Sequence, residues 1–171
     1  VMRLREIGLE PDILVCRTES NNHLTPKLKT KLGLFCNVEP SHVFESPDVE
    51  TIYEIPIVLH NQHFEKTVLK TLSLKSNIKH TNIKPLNNFI NSYKKPKHNI
   101  TIAMCGKYNG LHDAYKSILE ALVHSGVNNI CSINIKWVDT EKIESLKKID
   151  KVFEGVDGII IPGGFGYRGI E

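Results

Sequence analysis

Gly158-Ile-Ile-Ile-Pro-Gly-Gly-Phe-Gly-Tyr-Arg-Gly-Ile-Glu171 decides the fold. A β-branched apolar run stops at Pro162 and opens into a loop with four glycines in seven positions. The run reads as a buried parallel strand. Proline ends its pairing, and glycines let a ligand approach bare backbone. In open α/β sheets ligands sit at the carboxyl ends of the strands, where this loop lies.

Upstream, the same grammar repeats. Asn99 to Cys105 is a strand, followed by a turn over Gly106-Lys107-Tyr108-Asn109-Gly110. Asp113 to Ser125 is a helix with Asp113 as N-cap and Gly126 as stop. Residues 131–138 alternate as a strand, 141–154 read as an amphipathic helix, and 156–161 are the third strand. Strand–helix–strand–helix–strand with short connections implies parallel pairing and right-handed crossovers, the first half of a doubly wound α/β domain.

Before it lies a second, partial α/β pattern. Leu4, Ile7 and Leu9 close a short helix that Gly8 ends. Residues 13–16 form a buried strand, with Arg17 at its carboxyl end. Thr25-Pro26 caps a helix whose Leu28, Leu32 and Phe35 share the apolar face, with Lys27, Lys29 and Lys31 on others. Residues 42–45 form a short strand. Ser46-Pro47 then opens a helix interrupted at Pro56, and a further helix covers about 64–74. From Lys75 to His98 the chain is rich in Lys, Asn and Ser, with one short helix around Leu86, Phe89 and Ile90. The expected fold is α/β with two partial doubly wound parallel-sheet domains. They cover 1–77 and 98–171, joined by a polar linker over 78–97.

Composition narrows the function. At 171 residues with 40% hydrophobic and 24% charged content, the chain has an ordinary globular balance. A net charge of +3 from 22 basic and 19 acidic residues argues against a dedicated nucleic-acid surface. The four cysteines have no zinc spacing. They read as buried reduced thiols in a reducing, cytoplasmic compartment. No apolar stretch approaches the roughly 20 residues of a membrane span. The first residues, Val1-Met2-Arg3, read as a helix already under way, which suggests an internal piece of a longer protein.

Gly164-Phe-Gly-Tyr-Arg-Gly169 formally fits G-x-G-x-x-G. It follows the third strand, however, with Pro162 and Gly163 intervening, and lacks the helix and ribose-binding acid of a dinucleotide site. No phosphate-binding P-loop and no G-x-C-x-G or G-x-S-x-G elbow occurs in the chain. Cys105 reads as a structural thiol and no metal ligands stand out. Gly163 and Gly164 suit backbone donors aimed at a developing oxyanion, where losing one donor costs about 2.7–4 kcal/mol. The plain alternative is a tight turn.

Taken together, Pro162 to Glu171, Gly106-Lys-Tyr108 with Asp113-Ala-Tyr-Lys-Ser117, Leu34-Phe-Cys-Asn-Val38, Pro11 to Arg17, and Ile52-Tyr-Glu-Ile-Pro56 resemble the CTP synthases in the right order. The resemblance covers nearly the whole chain and stops only at the linker. It implies the end of an amidoligase (synthetase) domain followed by the first half of a class I glutamine amidotransferase domain. The implied reaction is the last step of de novo CTP synthesis: ATP phosphorylates the 4-oxygen of UTP, and ammonia released from glutamine displaces the phosphate.

The resemblance also assigns residues. Lys31 matches the lysine that contacts UTP, and CTP as inhibitor. Pro47, Asp48 and Val49 match the segment against the ATP adenine, and Arg17 an arginine near the ATP phosphates. Gly163 and Gly164 match the oxyanion and glutamine loop, with Phe165 flanking glutamine. Arg168, Gly169 and Glu171 match the lid through which GTP activates glutamine hydrolysis, and Lys116 and Lys107 match positions linked to the GTP response or the domain interface. ATP with magnesium, GTP as activator and a homotetramer are implied, without nucleic acid or membrane. The magnesium acids and phosphate loop would precede Val1, and the cysteine nucleophile with its His–Glu pair would follow Glu171. The chain alone is therefore expected to be inactive. Two other readings remain at this point: a non-catalytic nucleotide-binding or interaction module of the same fold, and a dinucleotide-binding enzyme.

Overall fold

A computed structural model describes residues 1–19, 21–75, 81–106, 112–143 and 149–163. Its contacts divide the chain into two units, Val1–Leu86 and Asn87–Glu171.

The first unit opens with helix α1 (Met2–Glu6). Gly8 closes it as expected, at φ +79°, with its N–H donating to Arg5 O and the Leu9 N–H to Leu4 O. Strand β1 (Leu14–Thr18) leads to helix α2 (Pro26–Cys36), and strand β2 (Val43–Pro47) pairs parallel with β1 from Leu14↔Val43 to Thr18↔Pro47. Helices α3 (Ile55–Asn61) and α4 (Phe64–Thr71) follow. The buried residues of β2 are Val43 and Phe44, and the Phe44 ring meets Phe64 of α4 edge-on at 5.0 Å.

Four expectations change here. β1 is not fully buried: its burial alternates, and Val15 and Arg17 are exposed. Helix α2 is capped by Thr25, whose hydroxyl accepts from Leu28 N, with Pro26 in the first turn. Its inner face, however, is Leu32, Gly33 and Cys36, while Leu28 and Phe35 (69% exposed) point outward. Gly33 sets that rotation. A Cβ there would stand 2.5 Å from Val38 O, because the chain folds back under the helix. Ser46-Pro47 does not cap a helix. Both residues belong to β2, and the next helical turn starts at Thr51, where a capping box with Glu54 opens a short 3-10 segment (Ile52–Glu54). Pro56 lies in the first turn of α3 and interrupts nothing.

Helix α5 (Lys84–Lys94) occupies much of the stretch expected as polar linker, and buries Ile90. It spans the division between the two units.

The second unit carries a three-stranded parallel sheet in the order β4-β3-β5. Strand β3 (His98–Gly106) is central. It pairs with β4 (Cys131–Asp139) from His98↔Cys131 to Gly106↔Asp139, and with β5 (Gly158–Ile160) from Ile102↔Gly158 to Met104↔Ile160. Ala103, Met104 and Cys105 are buried, and Ile143, Val152, Phe153 and Val156 pack on the Ala103–Cys105–Val138 cluster. Helix α6 (Lys116–Asn128) supplies the crossover between β3 and β4.

The expected helix over 113–125 is shifted. A 3-10 turn covers His112–Tyr115, so Tyr115 and not Asp113 precedes α6. Gly126 lies inside the helix, where a Cβ would stand 2.7 Å from Cys131 O. Its glycine serves close packing and does not end the helix. The expected helix over 141–154 is also not continuous. Asp139 accepts from Glu141 N and caps a 3-10 turn (Thr140–Lys142), and Ile143 then leaves helical geometry at ψ 88°. Helix α7 covers only Ile149–Val152. Of the four cysteines, all free, Cys105 is buried and the others are half-buried. Burial holds the Cys105 thiol above its ordinary pKa, which fits the structural reading over a nucleophile.

Candidate functional site

Parallel pairing puts the carboxyl ends of β1 and β2 side by side, and four of the expected residues gather there. Arg17 is the penultimate residue of β1, and Pro47 closes β2 opposite Thr18. The Asp48 N–H extends the ladder by donating to Thr18 O at 2.8 Å. Arg17 Nη2 lies 3.4 Å from Asp48 Oδ1, with side chains 87% and 52% exposed. Val49 follows in the same segment, half-buried. Such an exposed ion pair contributes at most about 1 kcal/mol. The guanidinium can therefore leave Asp48 for a stronger anion at little cost.

Beneath this pair runs a polar network that sequence reading missed. Glu45 accepts from Thr18 Oγ1 at 2.8 Å and contacts His23 Nδ1 at 2.8 Å. Burial alone would raise its carboxyl pKa, but the hydrogen bonds from Thr18, His23 and the Leu24 backbone outweigh that and hold it below the ordinary value of 4.5. The Glu45 backbone is held as well. Its N–H donates to Gln62 Oε1 at 2.9 Å, and its carbonyl accepts from Gln62 Nε2 at 2.8 Å. No local pattern marks Gln62, which sits within the polar run His60-Asn61-Gln62-His63 after the apolar stripe of α3.

Lys31 is not part of this cluster's contacts. It stands on the exposed side of α2 with its ammonium 6.0 Å from the Phe35 ring centroid. Its exposed position leaves the amine accessible to an anion.

In the second unit, β5 ends at Ile160, and Pro162 and Gly163 continue beyond the strand end. Among the described residues, a Cβ on Gly163 would meet nothing within 4 Å. Gly164, Phe165, Arg168, Gly169, Glu171 and Lys107 lie outside the described residues. Lys116 begins α6 and reaches Glu120 one turn on at 2.7 Å. That hydrogen bond, with the charges of Glu120 and then Asp113, raises its pKa. Near the carboxyl ends of β3 and β4, Trp137 stacks on His112 (4.3 Å, 11°) and meets Tyr115 at 5.7 Å. The stack fixes the turn that precedes Lys116. Its members were legible only as isolated aromatics.

Among the described residues, no group of three His, Cys, Asp or Glu side chains could hold a metal ion. No described helix is long and apolar enough to cross a membrane.

Two family models match the chain in order: CTP synthase N-terminus over residues 1–74, and glutamine amidotransferase class-I over residues 111–171. A CTP synthase of Caldanaerobacter subterraneus subsp. tengcongensis is 44% identical over 171 residues, all of this chain and 31% of that protein. The CTP synthase of Syntrophus aciditrophicus has the same identity and coverage. That of Chloroherpeton thalassium is 44% identical over 173 residues, covering 30% of its length. The chain thus spans about a third of the curated relatives it matches. These alignments run through 78–97, whereas the two family models leave residues 75–110 unmatched.

Proposed function

The chain belongs to the CTP synthase family, and from that premise we propose that a protein carrying it aminates UTP to CTP. ATP gives its terminal phosphoryl group to the uracil 4-oxygen. Ammonia from glutamine hydrolysis then adds at that carbon and phosphate leaves. The observation that carries this reading is the order of the two family matches on one chain, an amidoligase end followed by a glutaminase start.

The residue roles follow the chemistry at hand. Residues 1–77 supply the synthetase part, 98–171 the glutaminase part, and 78–97 joins them. Arg17, exposed at the end of β1, meets the ATP phosphates, and a charge-assisted hydrogen bond of this kind contributes about 1.5–3 kcal/mol. Pro47, Asp48 and Val49 lie along the adenine. Pro47 brings no N–H donor to that contact. Lys31 binds the UTP, or inhibitory CTP, end of the substrate. Gly163 and Gly164 present backbone N–H groups to the oxyanion formed on glutamine, and Phe165 flanks the substrate. Arg168, Gly169 and Glu171, with Lys107 and Lys116, form the GTP-responsive region.

Magnesium accompanies ATP in this reading, but the described residues offer no cluster for it, and none of the steps assigned to this chain uses it. The 171 residues contain no G-x-C-x-G elbow, so the cysteine nucleophile comes from outside them and the chain alone is inactive. A cytoplasmic homotetramer completes the proposal.

The test is turnover by a protein carrying this chain. UTP, ATP and glutamine yield CTP, and omitting ATP abolishes the product with glutamine or ammonia alike. Absence of CTP with either nitrogen donor contradicts the reading.

A further inference from the structure

We propose that Gln62 is a positioning residue for the nucleotide-facing end of β2, acting as the side-chain equivalent of one rung of a third strand. The inference rests on the proposed ATP role of residues 47–49.

In a parallel ladder, the N–H and C=O of alternate residues point to opposite edges of the strand. Asp48 N bonds toward β1, as Thr18 O accepts it. Residues of odd number in β2 therefore point away from β1, toward an edge that pairs with no other strand among the described residues. Glu45 is the central residue of that edge. Both of its backbone groups are taken by one carboxamide, Oε1 of Gln62 accepting from Glu45 N and Nε2 donating to Glu45 O. A primary amide is the one uncharged side-chain group that offers donor and acceptor in the geometry of a peptide.

Gln62 is itself held in place. Its Nε2 also donates to Val58 O at 3.2 Å, its backbone N–H to Leu59 O at 3.1 Å, and Lys29 Nζ reaches its Oε1 at 3.5 Å. Glu45 passes the constraint on through its carboxylate, which holds Thr18 and His23. One rung at Glu45, three residues upstream of Asp48, thus ties α3, β2, the end of β1 and the loop at His23. Two parallel strands alone make a weak ladder. The rung fixes the direction in which β2 leaves the sheet, and hence where residues 47–49 meet a ligand.

The experiment uses a protein carrying this chain and compares Gln62→Met and Gln62→Glu with a stability control, Val38→Ala, at a buried site of the same unit. Gln62→Met removes both bonds. Gln62→Glu keeps the acceptor but sets a carboxylate oxygen against Glu45 O. The expected result in both is a KM for ATP raised about tenfold, the scale of one lost hydrogen bond, with kcat at saturating ATP and the KM for UTP unchanged. Val38→Ala lowers Tm without that split. A normal KM for ATP in Gln62→Met, or ATP and UTP constants that rise together as Tm falls, overturns the inference alone. Failure of the unsubstituted protein to use ATP overturns the underlying reading and the inference with it. If neither Gln62 variant folds, hydrogen exchange in the unsubstituted protein decides. The Glu45 amide should be protected like those paired between β1 and β2, and exchange at the rate of a free strand edge overturns the proposal.

Discussion

In the proposed function the two units use the same parallel-strand end in opposite ways. In the first, β1 and β2 deliver side chains: Arg17 and Asp48 stand exposed over the network of Glu45, Thr18, His23 and Gln62. In the second, β5 delivers backbone, running through Pro162 into glycines. The sheets differ to match. The two-stranded one depends on a side-chain amide at its edge, whereas the three-stranded one is anchored by the buried run Ala103–Met104–Cys105. Side-chain truncation should therefore harm the first end, and added side-chain bulk the second.

Stability separates them first. Met104 is fully buried in the central strand, and Met104→Ala should destabilise the second unit by about 2–5 kcal/mol. Calorimetry with a probe in each unit checks this. A loss below about 1 kcal/mol, the cost of an Ile→Val change, would mean that β3 is not the anchor. Smaller effects follow from close backbone approach. Gly126→Ala and Gly33→Ala each place a methyl group within 2.7 Å of a carbonyl oxygen, and each should cost about 1–3 kcal/mol. Equal stability to wild type in urea melts would contradict those approaches.

Thr51→Ala removes a buried cap hydroxyl and should cost about 1 kcal/mol. A Thr51→Ser variant should recover most of that loss.

How much of this was legible depends on whether the cause was local. Strands β3, β4 and β5 followed from apolar and alternating runs, and Gly8 and Thr25 from capping chemistry. The inner face of α2 did not, because Gly33 chooses it through contact with residues 38–40, and an apolar count cannot see that. Ser46-Pro47 has the look of a helix start. In space, Pro47 sits at the end of β2 with its nitrogen directed away from β1, where no donor is needed. The true start, Thr51 with Glu54, carries the T-x-x-E signature in the sequence itself. Arg17, Pro47, Asp48 and Val49 were named from resemblance, and their proximity is a property of the fold. Gln62 had no sequence signal, since its role exists only once α3 lies against β2.

Acid sharpens the contrast further. Glu45 titrates below 4.5 in the folded chain, so its contribution is full above the unfolded carboxyl range and is lost as pH falls through the folded value. Tm of the first unit should drop below pH 4.5, and Glu45→Gln should flatten that slope. An identical slope in the variant would remove the network from the account. Arg17→Ala should have the smallest effect on stability, within about 0.5 kcal/mol for an exposed pair, while raising the KM for ATP. An unchanged KM would sever Arg17 from the nucleotide.

The most direct measurement pairs Arg17→Ala with Gly164→Ala and follows CTP formation with glutamine and with ammonia at limiting ATP. Arg17→Ala should slow both reactions by the same factor. Gly164→Ala should cut the glutamine reaction about 10²–10³-fold, the usual loss for an oxyanion donor, and leave the ammonia reaction intact. An equal loss with both donors in Gly164→Ala would contradict the division of labour between the two strand ends.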